Sequence, residues 1–143
     1  MTPEELEARE AIRDLVARYN ANADSGRFEE VLALFTVDAT MQLDDRTLEG
    51  RDAIRALFEG TRQRAMSASS GQRMHLRHFT ATHQIDVVDA DHAGGRCYFQ
   101  VLMPHGLDHW GRYLDDYVRI DGQWRFAVRR VTVDGRAANS AFV

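Results

Sequence analysis

The sequence contains no lysine: all 18 basic residues among its 143 are arginine. Without an amine side chain there is no pyridoxal Schiff base, no aldolase-type lysine, no Walker A lysine and no serine–lysine dyad. A single cysteine, Cys97, excludes an internal disulfide and fits a reducing cytoplasm, the location expected here. No segment approaches the roughly 18 apolar residues that span a bilayer, and the acidic start Met1-Thr-Pro-Glu-Glu-Leu-Glu lacks the apolar stretch of a signal peptide. GxSxG, GxGxxG, HExxH and CxxC are all missing, which removes the hydrolase elbow, the dinucleotide fingerprint and common zinc spacings. No metal and no organic cofactor is expected. The net charge is −4, divided as −7 over residues 1–60 and +3 over residues 61–143, and no arginine run tracks one face. Neither half carries a nucleic-acid footprint.

What is present is the composition of one ordinary globular domain, 44% hydrophobic and 28% charged, expected to span residues 1–143. Thr2-Pro3-Glu4-Glu5 reads as a capped helix start, and Ile12, Leu15, Val16 and Tyr19 continue it at helical spacing to about Asn22–Asp24. Asp24-Ser25-Gly26 supplies a turn before a shorter helix with Phe28, Val31, Leu32 and Phe35 on its inner face. A first strand follows within residues 36–43, then a third helix opened by Gly50-Arg51-Asp52, and a polar loop at residues 67–72. Residues 74–88, 95–104, 110–120 and 123–133 read as extended segments, the first two divided by Ala93-Gly94-Gly95 and the last two joined by the hairpin signal Asp121-Gly122. Helices first and a meander after is the order of an α+β fold, with three N-terminal helices packed on a strongly curved mixed or antiparallel sheet. The open mouth of such a cone is a natural pocket for a small molecule.

Histidine is the residue type whose charge changes near neutral pH, and six are present. Strict strand alternation puts His78 opposite both His75 and His83, and groups His78 with Thr80 and Thr82. His78 and His105, which follows Met103-Pro104 where the ladder must break, are the candidate catalytic imidazoles. Asp24, at the turn beyond an apolar helix face, is either aimed inward or an N-cap for the second helix. Asp115 shares parity with Tyr113 and Tyr117, facing the cavity or pairing with an arginine; Arg129-Arg130 reads as a solvated face or an ion-pair partner. Cys97, Met41, Met103, Trp110 and Trp124 read as core or pocket wall.

The segments Ala11–Tyr19, Phe35–Ala39, Gly50–Ile54, Met74–Phe79, Gly111–Asp115 and Asp121–Phe126, in that order, make the chain resemble the SnoaL-like members of the NTF2-like superfamily. The resemblance implies a cone-shaped α+β barrel. The site pattern is most similar to that of the scytalone dehydratases: a His–Asp pair matched by His78 and Asp24, and a second histidine matched by His105. The carbonyl-polarising tyrosines of those enzymes fall at Ala23 and Leu43, leaving Tyr19, Tyr98 or Tyr113 as replacement donors. Expected function is therefore a cofactor-independent dehydratase-like lyase or an isomerase, with Asp24, His78 and His105 catalytic and with Tyr19, Tyr98, Tyr113, Asp115, Met103 and Trp110 at the substrate. The expected substrate is a small hydrophobic, aromatic, polyketide-like or steroid-like molecule, and the expected assembly a homodimer or homotrimer. A non-catalytic binding or assembly module is the alternative, and an epoxide hydrolase or cyclase on the same fold a further one.

Overall fold

The structure, a computed structural model, describes residues 1–68 and 75–142. Helix α1 covers Pro3–Asp24, α2 Phe28–Leu32 and α3 Gly50–Ala68; the strands are β1 Phe35–Gln42, β2 Thr47–Glu49, β3 Arg77–Val87, β4 His92–Met103, β5 Gly106–Ile120 and β6 Gln123–Arg136. They form one six-stranded sheet in the order β2-β1-β6-β5-β4-β3. All neighbours are antiparallel except β1 and β6, which run parallel, so the sheet is mixed. This is the α+β arrangement that the order of elements implies. Among the described residues no helix is long and apolar enough to cross a membrane.

Local chemistry sets the element ends. Thr2 and Glu5 close a reciprocal capping box over the first turn of α1, and Ile12, Leu15, Val16 and Tyr19 are buried as their spacing predicts. Asp121 and Gly122 adopt φ of 52° and 76°, the left-handed pair that a two-residue hairpin needs.

Several boundaries differ from the sequence reading, for physical reasons. Phe35 opens β1 rather than closing a helix: α2 ends at Leu32, and the fully buried Phe35 packs against Phe126 at a ring distance of 5.1 Å. Asp44-Asp45-Arg46 turns the chain into β2, a short strand without a periodic signature. Ser67 and Ala68 extend α3, while the rest of the expected 67–72 loop and the start of the expected 74–88 segment lie outside the described residues. Ala93-Gly94-Gly95 lies inside β4, and the turn is made before it, where Val88 donates to the His92 carbonyl. Gly95 serves packing here: a Cβ would stand 2.8 Å from the Tyr117 ring.

Helix α1 crosses the inner face over β3 and β6, and α3 lies over β1. Between helices and sheet an aromatic core forms around Tyr19, whose ring stands 5.7–6.0 Å from those of Phe35, Phe58, Tyr113 and Phe126.

Candidate active site

Asp24 is the last residue of α1, and its side chain is nearly buried. Its carboxylate accepts two hydrogen bonds from one residue of β3: the backbone N–H of His78 at 2.9 Å and ring Nδ1 at 2.7 Å. A carboxylate only accepts, so Nδ1 carries its proton, and in the neutral form of the ring the lone pair lies on Nε2 at the opposite edge. The alternative reading of Asp24 as an N-cap does not hold. The N-cap of α2 is Arg27, and no side-chain hydrogen bond caps the helix.

His78 lines a cavity of about 970 Å³ bounded by the turn after α1, the end of α3, the β1–β2 hairpin and the inner face of the sheet. Its deep wall holds the buried Tyr19, Met41, Phe99 and Tyr113. A second histidine enters the same cavity from β5, but it is His109 rather than His105. The rings of His78 and His109 flank Phe99 at centroid distances of 6.2 and 6.1 Å. His109 Nδ1 is 2.7 Å from Asp108 Oδ2, which reproduces the His78–Asp24 arrangement. The fully buried Asp108 also accepts from the Ala141 N–H at 2.8 Å and the Ser140 hydroxyl at 2.7 Å. Burial opposes the Asp108 charge, but the bonds from His109, Ala141 and Ser140 outweigh it and hold the carboxyl below its usual value. Burial lowers the His109 pKa despite Asp108, so this imidazole is neutral at neutral pH.

His105 sits in the two-residue turn between Met103 and Gly106, outside the cavity wall, with Nε2 3.0 Å from Asp108 Oδ1. The signal for His109 was its parity: it matches Tyr113 and Asp115 on β5, whereas His105 precedes a bulge at which Asp108 is left without a partner on β4. A second bulge corrects the expectation for β3. Register shifts between Ala81 and Gln84, with Thr82 at φ 55°, so His78 and His83 face the same side. His83 Nε2 lies 3.3 Å from the Tyr117 hydroxyl, and burial, then the Arg129 and Arg13 charges, lower its pKa.

The sequence profile described as a SnoaL-like domain matches residues 4–130. The chain belongs to the SnoaL-like family. Among solved structures it is similar to an NTF2-like protein with a cystatin-like fold from Novosphingobium aromaticivorans, at 32% identity and TM-score 0.77 over 93% of this chain and 86% of that one. A function-unknown protein from Mycobacterium tuberculosis is similar at 28% identity and TM-score 0.77, over 100% and 82% of the two chains. A candidate scytalone dehydratase from N. aromaticivorans is similar at 25% identity and TM-score 0.77, over 100% and 99%. No curated protein matches the chain significantly.

The SnoaL-like cavity draws in some of the expected substrate residues and leaves others outside. Tyr19 and Tyr113 line it. Tyr113 donates to Asn20 Oδ1 at 3.3 Å, whereas the Tyr19 hydroxyl makes no hydrogen bond among the described residues. Burial pushes the Tyr19 hydroxyl up to about 12, against the pull of the Arg129 guanidinium, so it remains a donor. Tyr98 and Trp110 are exposed and Met103 is buried, and none of the three reaches the cavity. Asp115 is buried behind it with Arg129, Nε to Oδ1 at 3.1 Å and Nη2 donating to Oδ2 at 3.3 Å. The 3.1 Å approach is off hydrogen-bond alignment, and the guanidinium is held as much by the rings of Tyr113 and Tyr19, at 3.6 and 4.2 Å. Burial pushes the Asp115 carboxyl up and works against the Arg129 charge. Arginine keeps its proton in proteins, so a neutral Asp115 would strand a bare cation, and the pair is ionised. Arg129 is thus the ion-pair partner the sequence suggested, fully buried rather than solvated. Among the described residues no group of three or more His, Cys, Asp or Glu side chains is placed to hold a metal.

Proposed function

We propose that this SnoaL-like protein catalyses a cofactor-independent elimination or double-bond shift on a carbonyl compound, with His78 as the base. The observation that carries the reading is the twofold grip of Asp24 on the backbone N–H and Nδ1 of His78 in the cavity wall. That grip fixes the tautomer and leaves Nε2 to receive a proton.

In the proposed reaction Nε2 removes a proton from the carbon next to the carbonyl, and the electron pair moves onto the carbonyl oxygen as an enolate. Tyr19, with its unpartnered hydroxyl and the Arg129 charge beneath its ring, hydrogen-bonds that oxygen. As the enolate collapses, the β C–O bond breaks, and the departing hydroxide takes the proton from the His78 imidazolium to leave as water. In an isomerisation the same imidazolium returns its proton to the γ carbon. His109, held neutral with Nδ1–H on Asp108, accepts a hydrogen bond from the substrate hydroxyl and orients it. Apolar walls strengthen each of these polar contacts by excluding water.

The test is a panel of β-hydroxy and β,γ-unsaturated cyclic ketones, followed by ultraviolet absorbance of the conjugated product and by deuterium uptake from heavy water. A positioned base typically contributes about 10²–10⁴-fold, so His78→Ala is expected to lose at least about 10²-fold in kcat with an unchanged circular dichroism spectrum. Turnover by that variant near the wild-type rate would refute the base assignment.

A further inference from the structure

The mouth of the cavity carries charge that the proposed chemistry leaves unused. Arg46 of the β1–β2 hairpin, Arg62 and Arg64 at the end of α3, and Arg136 at the end of β6 all line it, and all are exposed. Elsewhere several surface arginines are matched to acids, Arg55 with Glu29 and Asp52, Arg112 with Asp134, Arg119 with Asp91, and Arg130 with Asp116, while the exposed Arg13, Arg77 and Arg96 stand on other parts of the surface. Among the described residues the guanidinium groups of Arg46, Arg62 and Arg64 pair with no carboxylate and make no hydrogen bond, and that of Arg136 spends only Nε, on the Phe142 carbonyl.

The acids lining the cavity do not cancel them. Asp24 is committed to His78, and Asp44 accepts the Val133 N–H at 3.0 Å, which leaves Asp45. Four guanidinium groups therefore share the mouth with only the carboxylates of Asp44 and Asp45, the former already engaged, on a protein whose net charge is −4. A positive cleft on an acidic molecule concentrates anions locally, and the planar guanidinium fork matches a carboxylate bidentately. Behind the mouth, Phe28, Phe58 and Phe99 offer aromatic wall, and about 970 Å³ is room for more than one ring.

We propose that the ligand of this cavity is an amphipathic anion: an apolar multi-ring body seated against Phe28, Phe58 and Phe99, with one carboxylate held among Arg46, Arg62 and Arg136. This deepens the functional reading by naming a substrate class. Its test reads binding alone, so it fails or survives independently of whether His78 catalyses anything.

The probes are 2-naphthylacetate, its neutral isostere 2-naphthylacetamide and the cation 2-naphthylethylamine, titrated calorimetrically into the wild-type protein, into Arg46→Gln/Arg62→Gln and into Arg112→Gln. One charge-assisted carboxylate contact is worth about tenfold in affinity or more. The expected order at low salt is therefore acetate tighter than acetamide by at least about tenfold, with the amine weakest and the gap narrowing at high salt. The double variant is expected to lose about tenfold for the acetate and nothing for the acetamide. Equal affinity for acetate and acetamide, no binding of the acetate, an intact preference in the double variant, or an equal loss in the outer-face control Arg112→Gln each overturns the proposal.

Discussion

Asp24 and Asp115 show how the same side chain acquires different work from its surroundings. Asp24 ends a helix at the cavity wall and holds an imidazole by two hydrogen bonds; Asp115 is sealed behind the cavity with a cation. Replacing Asp24 by Asn keeps the shape and removes the acceptor that selects the Nδ1–H tautomer. In the proposed reaction Asp24→Asn is expected to lower kcat by about 10²-fold or more with little change in KM, a split that steady-state kinetics on the converting ketone reads directly. Asp115→Asn leaves a buried guanidinium without its counter-charge, at a cost of about 3–5 kcal/mol. Urea denaturation should show it as a lowered midpoint. Arg129→Met combined with Asp115→Leu is expected to be milder than the single variant, because no bare charge remains.

At the scale of the element, alternation along the strands and the places where it fails decide what the cavity contains. On β5, Gly111, Tyr113, Asp115 and Tyr117 are buried while Arg112, Leu114 and Asp116 are exposed, as a period of two requires. On β3 the irregularity at Thr82 moves His83 to the inner side, and on β5 the bulge at Asp108 lets Asp108 and His109 both be used inside. Bulges have weak sequence signatures, since they answer to the curvature of the whole sheet and to the partner strand. That is why alternation alone does not single out His109, whereas Pro104 marks the position of His105 in the sequence. Two glycines separate sterics from conformation. At Gly111 a Cβ would stand 1.9 Å from the Thr132 carbonyl oxygen and 2.9 Å from the Phe99 ring, whereas at Gly122 it meets open space at a φ of 76°. Gly111→Ala is expected to lose at least the roughly 1–3 kcal/mol of overpacking and to disturb the cavity wall through Phe99. Gly122→Ala is expected to lose about 1–2 kcal/mol and leave the cavity intact. Thermal melts and probe binding on both variants separate the two effects.

For the molecule as a whole, acid should be the destabilising direction in the mildly acidic range. His83 and His109 have pKa values lowered by burial from the ordinary 6.5. The unfolded chain therefore binds protons that the folded chain refuses, and stability rises with pH wherever that difference persists. The contribution of both groups is complete above about pH 6.5 and falls as the pH drops toward their folded values. The melting temperature is expected to decrease from pH 7.5 to 5.5, as scanning calorimetry would record, and His83→Gln is expected to flatten the slope over that interval.

Caps, periodicity and turn residues act over a few neighbours, so the class of fold, the helix faces and the Asp121-Gly122 hairpin are legible in the chain alone, and the SnoaL-like membership is legible through the resemblance of its segments. The sequence also singles out Asp24 and His78, whose pairing across 54 positions of chain is visible only by resemblance. Tertiary structure alone decided that His109 rather than His105 enters the cavity, that Arg129 is buried between two tyrosine rings, and that unpaired arginines gather at one mouth. Each of those outcomes depends on strand register and sheet curvature, quantities set by the packing of distant segments against one another.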